Sequence, residues 1–169
     1  AWLESAGINW ANAPGCNANS VVEYVLAAVL ATDDYWDRLV KGGVLGIVGY
    51  GHVGRLLAKR ARSLGIKVSV NDPWLDAAAL EDGQPLETVL GSDVVSLHAS
   101  LVHEQPWPSY HLLNAERLAL VKDTSLLINA SRGPVAADAA LLARLESGKG
   151  PVTILDVWET EPVVNTALL

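Results

Sequence analysis

The chain has 169 residues, the size of one domain, and its composition of 50% hydrophobic and 18% charged residues excludes intrinsic disorder. The net charge of −7 at pH 7 argues against nucleic acids and anionic membranes, so we expect neither partner. One cysteine excludes a disulfide framework, and the four histidines lack the spacing of metal ligands, so we expect no bound metal.

Residues 1–40 predict a short strand and a long helix. The strand is expected over residues 8–12, ended by a Pro-Gly turn. Ser20-x-x-Glu23 is a capping box, and apolar residues then recur at helical spacing to Ala31. Because this helix has little polar face, we expect it to be buried or to form an interface, and we predict a homodimer. We interpret residues 33–43 as a linker.

From residue 44 onward, apolar runs and helical stripes alternate. Short connections between alternating strands and helices predict an α/β fold with a doubly wound parallel sheet. The predicted strands are 44–48, 66–70, 94–97, 125–128 and 152–157, and the predicted helices are 53–64, 86–90, 115–121 and 135–147.

The run Gly49-Tyr50-Gly51-His52-Val53-Gly54 lies between a predicted buried strand and a helix. In that context the three glycines permit a tight turn, a close approach to a pyrophosphate and close helix packing. Asp72 follows the next strand, where a carboxylate binds the adenosine ribose and repels a 2′-phosphate. These features predict a Rossmann-like domain that binds NAD rather than NADP. The alternative is a plain βα turn with a solvated Asp72.

Two further motifs follow the last predicted strands. Asn129-Ala130-Ser131-Arg132-Gly133 presents a guanidinium suited to a carboxylate, or an arginine that pairs locally. The segment 156–162 holds three carboxylates, one of which could sit beside an imidazole; the alternative is an ordinary acidic loop.

Taken together, the chain resembles the D-2-hydroxyacid dehydrogenase family. The resemblance covers nearly the whole chain. It implies hydride transfer between NAD and the 2-hydroxy carbon of a small acid, with an imidazole as acid and base. Two of the segments, 13–18 and 110–113, resemble the branch of the family that acts on a phosphorylated 2-hydroxy acid. The segments that carry the resemblance are 13–18, 46–54, 72–73, 110–113, 129–133 and 156–162.

The resemblance also implies roles for individual residues. Arg132 matches the residue that binds the substrate carboxylate and carbonyl, and Glu161 matches the acid that pairs with the catalytic histidine. The remaining matches are cofactor contacts: the backbone of His52 and Val53 on the pyrophosphate, Asp72 on the ribose, and Ala99, Ala130, Ser131, Arg132 and Asp156 along the rest of the cofactor.

The sequence departs from the family pattern in two places. His98-Ala99-Ser100 stands where the family has His-Thr-Pro, so the threonine hydroxyl that touches the cofactor is missing. The catalytic histidine falls beyond residue 169, and of the other histidines His98 is best placed, although we interpret it as a partly buried, hydrogen-bonded residue. We therefore expect an NAD-binding domain over residues 1–169, with its dinucleotide-binding core at 44–169, the substrate domain absent and little turnover.

Other functions remain open from the sequence. The chain could be a silent NAD-binding module that meets a partner through the helix ending at Ala31, or another D-2-hydroxyacid dehydrogenase. A different Rossmann enzyme, such as a methyltransferase, is disfavoured by the three glycines together with Arg132 and Glu161. No targeting or membrane-spanning segment is evident, so we expect a cytoplasmic protein.

Overall fold

The computed structural model describes residues 2–169, apart from the side chain of Ala77. Five parallel strands form one sheet in the order β2-β1-β3-β4-β5. The strands are β1 Val44–Val48, β2 Lys67–Asn71, β3 Val94–Leu97, β4 Leu126–Asn129 and β5 Val152–Leu155. The α-helices are α1 Trp2–Ser5, α2 Ala18–Ala31, α3 Tyr35–Val40, α4 His52–Ser63, α5 Leu86–Leu90, α6 Ala115–Leu118 and α7 Asp138–Glu146.

The sheet is covered on both faces, as its unbroken apolar strands require. Alternate residues of one strand belong to different hydrophobic clusters: Ile47 packs with α2, α3 and α4, whereas Val48 packs with α5, α6 and α7. In β4, Leu126 and Leu127 divide in the same way. This arrangement confirms the predicted doubly wound parallel sheet.

The order of the strands creates the crevice where a ligand can bind. The chain passes from β1 outward to β2 and then crosses to β3 on the other side of β1. In open α/β sheets, ligands bind beyond the carboxyl ends of the strands at this reversal. The loops that follow β1, β2 and β3 are therefore the elements that form the candidate site.

The structure corrects the prediction for the first forty residues. Residues 8–12 form no strand: Ile8 and Trp10 are 45% and 55% exposed, and no neighbouring strand supplies a hydrogen-bonding ladder. The helix α2 begins at Ala18, so the predicted capping box is wrong. The Glu23 carboxylate instead accepts a hydrogen bond from the Asn19 amide, at 2.7 Å within the helix.

The predicted linker at 33–43 contains the short helix α3. Its Leu39 is buried, and the Tyr35 hydroxyl donates a hydrogen bond to the backbone oxygen of Ser125, 3.2 Å away. Elsewhere the helix α6 stops at Leu118, three residues before its predicted end. The helix α7 starts at Asp138 because a 3₁₀ turn, Gly133–Val135, precedes it. Within residues 2–169, no helix is long and apolar enough to cross a membrane.

The central strands should dominate stability. Leu127 on β4 is fully buried, so Leu127→Ala removes packed methyl groups and leaves a cavity; we expect a loss of about 2–5 kcal/mol in the free energy of unfolding. The matched variant Leu120→Ala, at a side chain that is 41% exposed, should cost less than ~1 kcal/mol. Urea denaturation followed by circular dichroism measures both. Equal losses would contradict this description of the core.

Candidate functional site

A cleft of about 970 Å³ lies beyond the carboxyl ends of β1, β2 and β3. Its walls come from the turn after β1, the residues after β2, the end of β3 and the loop at 100–109. Its volume is in the range of cofactor sites, about 300–1,000 Å³. The sheet therefore presents one large crevice at its strand reversal, where a ligand was expected.

The first and third glycines of the turn are required by backbone packing. Gly49 has φ of 96°, and a Cβ atom there would lie 2.6 Å from the backbone nitrogen of Ala99. A Cβ atom at Gly54 would collide with the carbonyl oxygen of Gly49. Side chains at these positions would push β1, α4 and the end of β3 apart, so both glycines keep the turn closed.

Gly51 differs, because no protein atom requires it to be glycine. Its φ of −77° suits any residue, and a Cβ atom at this position would meet nothing within 4 Å. The space it leaves lies in the cleft, immediately before α4, whose first turn carries backbone N–H groups without helical partners. A helix N-terminus behind an open glycine fits a pyrophosphate.

Asp72 connects the turn after β1 to the turn after β2. Its Oδ2 atom accepts a hydrogen bond from the backbone N–H of Tyr50 at 2.8 Å, and its Oδ1 atom accepts one from the N–H of Trp74 at 3.1 Å. A carboxylate has further acceptor positions on both oxygens. Asp72 is thus held at the mouth of the cleft, where ribose hydroxyls could donate to it.

The predicted cofactor residues divide into two sets. The first set lines the cleft and consists of Gly49, Gly51, His52, Asp72 and Ala99. The second set does not line it and consists of Val53, Gly54, Ala130, Ser131, Arg132 and Asp156. Val53 packs against the core and Gly54 is buried under the turn, so only their backbone could face a ligand.

Arg132 and Glu161 lie at the neighbouring edge, beyond β4 and β5. The buried Asn129 side chain accepts a hydrogen bond from the Ser131 hydroxyl at 2.8 Å and donates one to the backbone oxygen of Arg132 at 3.2 Å. Arg132 is exposed, as is Glu161, whose carboxylate accepts a hydrogen bond from the N–H of Trp158 at 3.0 Å. Within residues 2–169, no ion pair joins the two residues.

Close backbone contact brings these two segments together. A Cβ atom at Gly133 would collide with the carbonyl oxygen of Trp158, and the N–H of Asp156 donates a hydrogen bond to the oxygen of Asn129 at 3.0 Å. The segment that carries Arg132 therefore packs directly against the segment that carries Asp156 and Glu161. The chain places the predicted catalytic residues, Arg132 and Glu161, on one edge, beside the cleft rather than in it.

A contact between the His111 imidazole and the Glu159 carboxylate connects the segments at this edge of the sheet. His111 Nε2 lies 2.5 Å from Glu159 Oε1, and Glu159 Oε2 accepts the N–H of Asp138 at the start of α7. Burial opposes ionisation of Glu159, but the Asp138 N–H and the His111 imidazole outweigh it and hold its pKa below the ordinary value. The acidic motif suggested such a pair. Nothing local indicated His111, 48 residues away.

His98 also lines the cleft, but it is unsuited to proton transfer near neutral pH. Burial lowers its pKa to about 4, so the imidazole stays neutral. Its Nε2 atom lies 2.9 Å from the Ser96 hydroxyl. This contact supports the interpretation of His98 as a hydrogen-bonded, partly buried residue.

Comparison with known proteins gives the family. Residues 24–169 match the family described as D-isomer specific 2-hydroxyacid dehydrogenase, NAD binding domain. The chain belongs to this family.

Individual relatives narrow the resemblance. The chain is 45% identical over 169 residues to an erythronate-4-phosphate dehydrogenase of Cellvibrio japonicus, and 42% identical over 171 residues to one of Klebsiella pneumoniae. Each match covers all of this chain but only 44% and 45% of the relative, so the chain spans less than half of their length.

Solved structures agree with the fold. A D-lactate dehydrogenase from Aquifex aeolicus, complexed with NAD and lactic acid, has a TM-score of 0.78 at 29% identity, over 95% of this chain and 54% of that one. A D-lactate dehydrogenase from Treponema pallidum has a TM-score of 0.80 at 28% identity, over 98% of this chain and 59% of that one. Both matches cover nearly all of this chain and little more than half of the longer protein.

The open space at Gly51 leads to a prediction. Gly51→Ala should weaken NADH binding by at least ~10-fold, because the methyl group occupies space beside the phosphate position. The free energy of unfolding should change by less than ~1 kcal/mol, because the backbone there is unstrained. Calorimetric titration and urea denaturation measure the two effects.

Gly65→Ala is the control for that experiment. Gly65 has φ of 77° with nothing within 4 Å of a Cβ atom, so the variant should lose about 1–2 kcal/mol of stability to backbone strain. It lies at the far end of α4 and should bind NADH normally. An unchanged affinity in Gly51→Ala would show that this glycine does not face the cofactor.

The Glu159 contacts lead to a prediction about pH. Because the folded-state pKa is lowered, the carboxylate stabilises the fold above about pH 4.5, and this contribution is lost as the pH falls through the folded value. Glu159→Gln should lower the free energy of unfolding by about 1–2 kcal/mol at pH 7. The loss stays this small because His111 and Glu159 are partly exposed and solvent screens their interaction. Below pH 4.5 the loss should become progressively smaller. Denaturation of both proteins across pH measures the difference. A difference that grows towards acid pH would contradict this account.

Proposed function

We propose that this chain is the cofactor-binding half of an NAD-dependent dehydrogenase that oxidises 4-phospho-D-erythronate to its 2-oxo acid, a step of vitamin B6 biosynthesis. The observation that carries the proposal is the glycine turn joined to Asp72 across the mouth of the cleft. The choice of substrate is supported by the identity of 42–45% to erythronate-4-phosphate dehydrogenases over the whole of this chain.

The order of the strands supports an assignment of each part of NAD to a part of the cleft. Asp72, after the edge strand β2, holds the adenosine ribose, and the turn after β1 holds the pyrophosphate through the N–H groups of His52 and Val53. Ala99, which follows β3 and lines the cleft, would then contact the nicotinamide half. Bound there, NAD supplies the acceptor for the hydride of the substrate.

The second edge provides the substrate contacts. Arg132 presents an exposed, planar guanidinium that binds the substrate carboxylate and carbonyl. Ala130, Ser131 and Asp156 lie beside it, where they face the nicotinamide. Glu161 orients and charges the imidazole that takes the hydroxyl proton. We place that imidazole and the phosphate-binding residues in the part of the relatives that this chain does not span.

The proposed assembly is a homodimer in the cytoplasm. The outer face of α2 exposes Tyr24 and Leu30, which are 37% and 56% accessible, beside the small side chains of Ala27 and Ala31. Such a face favours an interface between copies over a permanently solvated surface. A cytoplasmic location follows from the proposed reaction, which consumes NAD and a phosphorylated metabolite.

Replacing Asp72 tests the cofactor assignment. Asp72→Asn keeps one side-chain acceptor but removes the negative charge that repels a 2′-phosphate. The ratio of NADPH affinity to NADH affinity should rise by about 10-fold or more, because each 1.4 kcal/mol is a factor of ten in affinity. Calorimetric titration of both cofactors measures this ratio.

The matched control for this change is Asp76→Asn. Asp76 is exposed in the same loop and does not line the cleft, so the ratio should stay at its original value. A ratio that is also unchanged in Asp72→Asn would remove the basis for assigning NAD specificity to this carboxylate.

A further inference from the structure

We propose that a second cavity, which reaches the amino ends of β1 and β2, binds a small hydroxylated anion such as a sugar phosphate or a sugar acid. Its volume is about 590 Å³, within the range of about 300–1,000 Å³ that is usual for small-molecule sites. Among residues 2–169, none that lines this cavity also lines the cleft beyond the carboxyl ends of the strands. The inference therefore goes beyond the proposed function and does not rest on it.

The second cavity lies on the α5 face of the edge strand β2. Val68 and Val70 pack into the core on the opposite face, with α2, α3 and α4. Because side chains alternate along a strand, Lys67 and Ser69 lie on the α5 face, where they line the cavity together with Thr88 of α5. The edge strand is thus polar on the face that a helix of only five residues covers.

Two serine side chains lie next to each other in this cavity. Ser69 is 7% exposed, and its hydroxyl has no hydrogen-bond partner within residues 2–169. Its register partner on β1 is Gly46, about 5 Å away, and a Cβ atom at Gly46 would lie 2.7 Å from Ser92 Oγ. Buried polar groups in proteins normally form hydrogen bonds, so a ligand seated over these serines would supply the partner that Ser69 lacks.

The side chains around the cavity carry more positive than negative charge. Arg62 Nε donates a hydrogen bond to Asp82 Oδ2 at 2.9 Å, and Lys122 Nζ donates one to Asp93 Oδ1 at 3.0 Å. Lys67 also lines the cavity, but in the described part of the chain it forms no ion pair. An ammonium group without a carboxylate partner, in a chain whose net charge is −7, is suited to an anion.

The outer wall of the cavity offers hydrogen-bond acceptors in fixed positions. The N–H of Val70 donates to the backbone oxygen of Asp82 at 3.0 Å, and the N–H of Gln84 donates to the oxygen of Val70 at 2.8 Å. The Asp82 carboxylate and the Gln84 amide, which both line the cavity, have acceptor positions for ligand hydroxyls. Lys67 and Ser69 supply donors for an acid group. A hydroxylated anion carries both kinds of group.

Calorimetric titration of the 169-residue chain tests this inference with two probes, glycerol phosphate and gluconate. Both carry hydroxyl groups, but the charge lies on a phosphate in the first and on a carboxylate in the second. Saturable binding of either probe supports the inference, and the tighter probe identifies the acid group. Inorganic phosphate should bind about 10-fold more weakly than glycerol phosphate, because it lacks the hydroxyls that the acceptors would bind.

Two variants locate the binding. Lys67→Gln should weaken the tighter probe by about 10-fold or more, because it removes a charge-assisted hydrogen bond. Ser69→Ala should weaken it by about 3–10-fold without lowering the free energy of unfolding, because the hydroxyl forms no internal hydrogen bond. Lys149→Gln removes the same charge at an exposed position outside the cavity, so it is the matched control and should bind the probe normally.

Several results would overturn the inference. These are no binding of either probe, unchanged affinity in both Lys67→Gln and Ser69→Ala, and inorganic phosphate that binds as tightly as glycerol phosphate. Arg55→Gln tests whether the anion binds in the cleft instead, since Arg55 lines the cleft. Weaker binding in Arg55→Gln but not in Lys67→Gln would place the anion there and would also overturn the inference. Circular dichroism confirms that each variant is folded.

Discussion

The close approach of three backbone segments at the carboxyl end of β1 is the constraint on which the candidate site depends. Gly49 lies against the backbone of His98 and Ala99, and Gly54 lies against Gly49, so the turn, α4 and β3 meet without intervening side chains. This contact aims the first turn of α4 into the cleft. The Asp72 carboxylate then ties the same turn to β2. These contacts hold the carboxyl ends of β1, β2 and β3 in fixed positions next to one another.

The cleft and the predicted catalytic residues lie at different parts of the same sheet edge. The loops after β2, β1 and β3 form the cleft in which we propose that NAD binds, while the loops after β4 and β5 carry Arg132 and Glu161. The second group is held by Asn129 and by the pairing of His111 with Glu159. A ligand that reached from one group to the other would cross the end of β3, where the cleft adjoins the second edge. This geometry suits a cofactor that meets its substrate at one end.

Local sequence predicted most of the sheet because strands buried on both faces are unbroken apolar runs. The glycine turn was also predictable, since two of its glycines, Gly49 and Gly54, are required by close backbone packing. The strand expected at 8–12 was wrong, because a strand forms only where a neighbour can pair with it. The helix Tyr35–Val40 was missed because six residues are too few to reveal a helical period, and it is held by a distant contact with Ser125.

The same distinction between local and distant signals applies to the site. The position of Asp72 beside the glycine turn could be predicted from its distance along the chain, and the Tyr50 N–H donates to its carboxylate. By contrast, His111 and Glu159 are 48 residues apart, and no spacing rule relates them. Sequence therefore indicated which chemistry to expect, and tertiary structure indicated which side chains support it.

The most direct test of the account is a fluorescence titration of the chain with NADH, with NADPH as the comparison. Excitation of tryptophan should transfer energy to the bound dihydronicotinamide. We predict saturable transfer with NADH and much weaker transfer with NADPH, because in the proposed site Asp72 accepts ribose hydroxyls and would repel a 2′-phosphate. Equal saturation by both cofactors, or no transfer from either, would contradict the claim that the glycine turn and Asp72 form an NAD site.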